Sequence, residues 1–563
     1  MNPRSHVRAA AVLVALAAVA APASGAPREE RDVASLRATL EKHAKDPYEQ
    51  RPRTGALRAL GRLGGPAAAE VVCGVLGDPF VHVRDHAVSA LIDLLEGPEA
   101  DATRAWLMAG PLVDRTSADV RRGVATALGV RGGPTAAAAL AAAAAKAGDP
   151  PVLGALARAL ERVGDPAAAT TLLPAAAARD GAAAGAVLRA LGGLSKDAAV
   201  VAALEAGLAR KEPLARAGAV DGLVAAAPAA LVARVDALLA DKAVEPRIAL
   251  ADALSRLTDG EARAAALALF SRLAEDPSWR VRAACYEAGL ALWDKALVPL
   301  LVERLRREHG RMVGDVVRAL ETLTGEAVGR DPDLWASWWS TRGPGLSLGA
   351  RPAPDRFGRF RRAARPPSAA DAEDRRTAAF YRLPVQSTQL AFLFDYSGSM
   401  RDAGRAGAKG SKADAARAEF AQVAAALGKG TVYDLFVYRY LGEYPPAPRL
   451  TRALGALTAA NAAAARKASE WLGKEVPRGF GAFYDGLVAV AAEEVDTIVL
   501  LSDGVPSMGT YDRGFRLIDE FVRANRFRRV AVDTVLVGTK GADREFMADL
   551  ADATGGRFMD AGN

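Results

Sequence analysis

Two architectures are predicted for one chain: an α–α superhelix, a solenoid of helical repeats, over residues 33–340, and an α/β unit with a doubly wound parallel sheet over 385–563. Three observations predict them. A small residue followed by Leu recurs at a near-constant interval down the first part of the chain. Apolar strands alternate with helical patterns after Leu383. Between the two lies a segment, 341–384, rich in Arg and Pro and without apolar periodicity. At 563 residues the chain exceeds what one hydrophobic core serves, so a multidomain protein is expected.

The first element is a targeting segment. Arg4, His6 and Arg8 make a basic start, an apolar run follows from Ala9 to Ala21, and small residues close it at Ala21-Pro22-Ala23 and Ser24-Gly25-Ala26. This is the layout of a secretory signal peptide. It is expected over 1–23, with cleavage alternatively after Ala26. The run is shorter than the roughly 20 residues of a spanning helix, so an uncleaved anchor is the lesser alternative. No later stretch is long and apolar enough to span. An exported protein, periplasmic or extracellular, is the expectation.

The repeats come next. Leu60, Leu91, Leu128, Leu160, Leu191, Leu223, Leu254, Leu290 and Leu320 each follow Ala or Gly, about one repeat apart. A fixed period of this length signals a stacked array, because one repeat cannot bury its own apolar face. Each of the nine copies reads as two helical runs parted by Gly, Asp or Pro. Asp caps a helix start and Pro fits its first turn. In DPFVHVRDHAVSAL (Asp78 to Leu91) and DPSWRVRAACYEAGL (Asp276 to Leu290), Asp-Pro precedes the pairs Val83-Arg84 and Val281-Arg282, and Val120-Arg121 repeats the theme. These copies resemble HEAT repeats of the bacterial type. The resemblance implies that the Arg contacts a neighbouring repeat, and that the array offers a surface to protein partners. Copies between about 150 and 245 are degenerate and Ala-rich. Trp335, Trp338 and Trp339 share one helix face and are expected to seal the last repeat rather than stack on a ligand.

Charge and rare residues exclude several chemistries. The net charge is +7, but residues 341–386 alone hold ten Arg against four acidic residues. The basicity therefore belongs to a connector, and no nucleic-acid partner is expected. Phe357, Phe360, Phe380 and Tyr381 are the side chains that would tack this connector to a domain surface. Cys73 and Cys285 are too far apart along an array to pair. All five histidines precede residue 310, so the C-terminal unit has no histidine-based active site, and no Cys/His cluster has zinc spacing.

In the C-terminal unit, strands are expected at Gln389–Asp395, Thr431–Tyr440, Asp496–Ser502 and Val530–Val537. Helices are expected at Ser411–Gly428, about Thr458–Leu472, Phe483–Ala492, Phe515–Ala524 and Asp543–Ala553. Apolar strands alternating with helices imply a parallel sheet covered on both faces, with ligands at the carboxyl ends of the strands. Asp395-Tyr396-Ser397-Gly398-Ser399-Met400 follows the first strand directly, and Asp503 follows the strand ending in LLS. Two carboxylates and two hydroxyls at one sheet edge suit a hard divalent cation. The glycine-rich loop Arg401–Gly410 lacks the GxxxxGK[ST] pattern and is not a phosphate cradle.

DYSGSM, with LLSDG a hundred residues later and a terminal LADATGGRFMDA, resembles a von Willebrand factor type A domain with its metal-ion-dependent adhesion site. That resemblance implies a Rossmann-like fold over 385–563 and a metal site of Asp395, Ser397, Ser399 and Asp503, holding Mg²⁺ or Mn²⁺, with Asp503 acting through water. The family's further Thr ligand falls at Gly481, in GFGAFYDGL, which carries no side-chain oxygen. Asp485 is expected to support the helix rather than ligate. No catalytic residues are assigned, since no GxSxG, HExxH, GxGxxG or Cys/His pair is present. The chain thus reads as an exported, non-enzymatic binding or scaffold protein. It would take a protein partner that offers an acidic group to the metal, and a second partner on the repeat array. The alternatives are an accessory subunit of a chaperone- or chelatase-like assembly, and a metal-dependent hydrolase.

Overall fold

The structure is a computed structural model and describes residues 28–45, 50–114, 117–177, 181–360, 378–403, 410–441, 448–506, 508–511, 514–538 and 541–562. The expected signal segment 1–23 lies outside the described residues, as does the middle of the connector.

Nine helices carry the recurring leucines at or next to their last turn: α1 Gln50–Leu63, α2 Val81–Leu94, α3 Ala118–Arg131, α4 Pro150–Val163, α5 Gly181–Leu194, α6 Pro213–Ala226, α7 Val244–Ala253, α8 Trp279–Gly289 and α9 Arg311–Thr324. Each packs on the next to form one continuous row, and a second row of intervening helices backs it. Every one of the nine leucines is buried. The period arises because this position points at the seam between the two rows.

Polar links hold the row in register. Arg53 in α1 pairs with Asp78 ahead of α2. Arg216 in α6 donates to both oxygens of Asp241 at 2.6 and 2.8 Å. Arg247 in α7 reaches Asp276 at 2.8 Å, and Arg282 in α8 reaches Glu308 at 2.6 Å. Each Arg is the fourth residue of its helix, and each partner precedes the next helix of the row. The fork geometry of guanidinium makes these links directional as well as attractive. In α4 and α5 the same position holds Leu153 and Ala184, and the array there relies on close backbone approach instead. A Cβ added to Gly192 in α5 would fall 2.2 Å from the Gly222 carbonyl oxygen in α6. Among the copies that look degenerate in sequence, α5 and α6 thus meet by close glycine contact where that position in α5 holds no arginine. Trp335 is fully buried and donates to the Gly329 carbonyl at 2.7 Å, which closes the last repeat.

The C-terminal unit is a seven-stranded sheet with helices on both faces. Its strands are β1 Gln389–Asp395, β2 Val432–Tyr440, β3 Pro448–Arg452, β4 Thr458–Ala459, β5 Thr497–Ser502, β6 Ala531–Leu536 and β7 Phe558–Asp560. The order is β3-β2-β1-β5-β6-β7, with β4 also on β2. All pairings are parallel except those of β3 and β4 with β2. The helices are α10 Lys412–Ala426, α11 Ala462–Lys474, α12 Phe483–Ala491, α13 Gly514–Asn525 and α14 Gly541–Thr554. The central strands β1, β5 and β6 are buried along nearly their whole length, as expected for strands covered on both faces.

One expectation needs correction here, and one strand was not foreseen. The helix read from Thr458 begins at Ala462, because Asn461 caps it by accepting from the Ala464 N–H at 2.9 Å, and Thr458–Ala459 is an edge strand. The antiparallel strand β3 has no apolar alternation to announce it, and its Pro448 sits at the first strand position, where a lost donor costs least.

The described part of the connector is not a free tether. The Trp293 indole donates to the Gly349 carbonyl at 3.1 Å, and Arg351 donates to the Ala291 carbonyl at 2.7 Å. Arg359 pairs with Glu287 of α8 at 3.0 Å and donates to the Asp552 carbonyl of α14 at 2.8 Å. Residues 343–360 thus run as a strap that touches both units.

The α/β unit docks on the leucine-bearing row. Arg526, just after α13, donates to both oxygens of Asp221 in α6, at 2.6 and 2.7 Å, and to Asp252 in α7 at 3.0 Å. Arg529 pairs with Asp252 and Glu287, and Arg516 with Asp85 of α2. In the other direction, Arg311 of α9 donates to the carbonyls of Asp496 and Arg529 at 2.8 and 2.6 Å. The face that the sequence offers to a second partner is here occupied, along these helices, by the chain's own C-terminal unit. Among the described residues no helix is long and apolar enough to cross a membrane.

Candidate functional site

The site forms where β1 and β5 end side by side at the carboxyl edge of the sheet. The pairing Phe394↔Leu501 brings the two strand ends level, so the loops that follow them converge. Asp395 ends β1 and is buried. One of its oxygens accepts the Ser397 backbone N–H at 2.8 Å, and the other accepts the Ser502 hydroxyl at 2.8 Å. Ser397 Oγ lies 3.1 Å from Ser399 Oγ, and Ser399 Oγ donates to Asp503 Oδ1 at 2.9 Å. All four sequence-predicted residues therefore belong to one connected cluster.

The backbone fixes this loop. The Tyr396 N–H donates to the Tyr438 carbonyl at 3.1 Å, and the Gly398 N–H to the Gly479 carbonyl at 2.9 Å. The first bond ties the loop to β2 and the second ties it to the Gly479–Gly481 segment, and the Met508 N–H in turn donates to the Gly481 carbonyl at 3.1 Å. Three loops are thereby held as one rigid rim. Asp485 accepts the Thr510 N–H at 2.9 Å and also its hydroxyl, so it braces the third loop and stays out of the cluster.

Electrostatics at the site are strained. Burial, followed by the charge of Asp503, pushes the Asp395 carboxyl up to about 6, against the lowering effect of its bonds to Ser397 and Ser502. Burial pushes the neighbouring Tyr438 phenol well up, and Asp395 and Asp503 add to this. Two carboxylates facing one another in a buried place call for a positive charge between or beside them. The protein already supplies one. Lys412, the first residue of α10, puts its ammonium 2.7 Å from Asp503 Oδ2. The Ser411–Asp414 capping box holds that helix start in place.

Sequence reading missed two members of the cluster. Ser502 is read as the end of a strand, and only its adjacency to Asp395 across the parallel pair reveals its role. Lys412 looks like an ordinary helix-start lysine, and nothing local in the sequence aims it at Asp503. Gly481 does lie where expected. A Cβ there would be 3.2 and 3.6 Å from the two Asp395 oxygens, so the glycine backbone packs tightly against the carboxylate.

Among the described residues no group of three or more His, Cys, Asp or Glu side chains is placed to hold a metal. A cation here would rely on hydroxyls as well as carboxylates. The residues that could hold it are Asp395, Ser397, Ser399 and Asp503, an all-oxygen set that matches the donor preference of Mg²⁺ or Mn²⁺. Access is one-sided. Tyr440, Ala482 and Met508 are buried in the hydrophobic cluster of the solenoid, whereas Ser399 is exposed.

Among curated protein sequences none matches this chain. Of solved structures, Kap121p is similar at 14% identity over 57% of this chain, with a TM-score of 0.32. The karyopherin Kap121p bound to the extreme C-terminus of the protein phosphatase Cdc14p gives 13% identity over 57% and a TM-score of 0.34. The chain spans 40% of the length of each. Human deoxyhypusine hydroxylase in complex with glycerol matches at 21% identity over 47% of this chain and 96% of its own, with a TM-score of 0.20. Residues 109–192 match the family model for HEAT repeats, and the helical array is a HEAT-repeat array.

Proposed function

We propose that the C-terminal unit is a von Willebrand factor type A domain with a metal-ion-dependent adhesion site, and that the chain is an exported binding protein. It would capture a protein partner through an acidic side chain presented to Mg²⁺ or Mn²⁺. The observation that carries this reading is the convergence of Asp395, Ser397, Ser399 and Asp503 at the ends of two adjacent parallel strands. Asp395 and the two serines would contact the cation or its waters, and Asp503 would hold a water of its shell. The bound cation would neutralise the carboxylate pair and leave a position for an oxygen from outside. That oxygen would approach on the exposed Ser399 side, since the Gly481 side is closed by the solenoid.

An enzymatic reading finds little support. Among the described residues the cluster contains no histidine or cysteine, and its one amine is engaged by Asp503. Export rests on the N-terminal segment alone, and a metal-dependent adhesion role fits such a location. Docking by the α/β unit suggests that the HEAT-repeat array acts first as the mount for the metal domain.

The test is calorimetric titration of Mg²⁺ and of Mn²⁺ into the full chain and into Asp395→Ala. One saturable event per chain, lost in the variant, supports the reading. Equal heats in both proteins, or none at millimolar metal, would overturn it.

A further inference from the structure

A second place in the molecule has the charge of a binding site, and nothing in the adhesion reading uses it. Between the leucine-bearing row and α13 lies a cavity of about 580 Å³. Arg158 and Arg162 of α4, Arg189 of α5, Arg256 just after α7, Arg523 of α13 and Arg526 just after it line it, against three acidic residues, Glu161, Asp221 and Asp252.

All three acids are already engaged. Glu161 pairs with Arg189 at 2.6 Å, and Asp221 and Asp252 are held by Arg526 at 2.6 and 3.0 Å. Arg523 pairs with Glu520 at 2.8 Å. Arg158, Arg162 and Arg256 remain, and among the described residues none of these three makes an ion pair or a side-chain hydrogen bond. Arg158 is half-buried, and its nearest charges include Arg523 and Arg189 as well as Glu520. Arg162 and Arg256 are exposed at the rim, so the cleft presents three uncompensated guanidinium groups whose mutual repulsion a counter-charge would relieve.

We propose that this cleft binds a compact polyanion, a small molecule carrying several phosphoryl or carboxylate groups, between the repeat array and the α/β unit. The guanidinium fork is matched to both groups. The volume falls in the small-ligand range. Among the described residues no aromatic side chain lines the cleft, so a nucleobase would find none of them to stack on. The walls come from two units, so an occupant would also fasten the domains together, which no exposed basic patch would do.

The probes are inorganic tripolyphosphate and, separately, citrate, titrated calorimetrically into the full chain in metal-free buffer at about 0.1 M ionic strength, where diffuse surface attraction is largely screened. We expect one saturable event per chain, weakened at least tenfold in Arg158→Gln/Arg162→Gln. It should be unchanged in Arg307→Gln/Arg466→Gln, which removes the same charge from exposed positions outside the cleft. The single variant Arg162→Gln, at an exposed position, guards against misfolding and should weaken binding at least threefold. Binding of tripolyphosphate alone assigns a phosphorylated ligand, and binding of both assigns a general polyanion site. Absence of saturable heat with either probe, or equal loss in the control pair, overturns the proposal. Tighter binding of an oligoglutamate peptide than of either small anion also overturns it, in favour of an acidic protein segment.

Discussion

Lys412 Nζ lies 2.7 Å from Asp503 Oδ2, so the residue expected to hold a water of the metal shell is ion-paired to the protein's own ammonium. A divalent cation entering the cluster must share that carboxylate with Lys412 or push the ammonium aside. On the proposed reading the lysine would set the affinity of the site for the cation. Substitution Lys412→Met removes the competing charge while keeping the packing of the stem. It is expected to tighten Mg²⁺ binding about tenfold, equivalent to roughly 1.4 kcal/mol, as read by calorimetry on the full chain. Weaker binding in the variant would show that Lys412 organises the site rather than competes for it.

The domain interface turns on Arg526. Its guanidinium bridges Asp221 and Asp252 on two successive helices of the row, and Arg529 shares Asp252. Truncation strands partly buried carboxylates, a loss of roughly 2–4 kcal/mol at the interface. Arg526→Ala is expected to split a single calorimetric unfolding transition into two, with the α/β unit melting separately from the array. A uniform shift of one transition would mean that the apolar contacts of Tyr440, Ala482 and Met508 suffice to couple the units.

Much of this design was legible in the residues, and what was not has a physical cause. The period of the leucines gave the array because burial at one seam repeats with the fold. The DYSGSM and LLSDG segments marked the cluster because strand ends project their next residues to one edge. Lys412 and Ser502 were invisible because their meaning lies in which strands and helices become neighbours, which local pattern does not encode. Docking was invisible for the same reason: Arg516 in α13 and Arg526 and Arg529 beyond its end read as ordinary surface arginines until the acids of α2, α6 and α7 are set opposite them. The central repeats looked degenerate because their Gly192–Gly222 contact leaves no side-chain signature. The arginine contacts of the connector were not legible because they run largely to backbone carbonyls.

Acid should weaken the N-terminal repeats through His82. Burial, and next the charge of His86, lowers this imidazole from 6.5 to about 4, and its Nδ1 has no hydrogen-bond partner. The folded protein therefore takes up the proton later than the unfolded chain does. The stability held by the neutral ring is intact above about pH 6.5 and is lost as the pH falls towards 4, by roughly 3 kcal/mol across the window. Denaturant midpoints for His82→Gln and the parent, followed from pH 7 to pH 4, should show a shallower fall in the variant. Parallel curves would place the acid sensitivity elsewhere.

The central claim, that four side-chain oxygens at the ends of β1 and β5 form a cation site, is tested most directly by anomalous scattering from crystals of the full chain grown with Mn²⁺. The account predicts one strong peak within coordination reach of Asp395, Ser397 and Ser399, with the Lys412 ammonium moved off Asp503. A cluster without a peak, with Lys412 still on Asp503 at millimolar Mn²⁺, would contradict it.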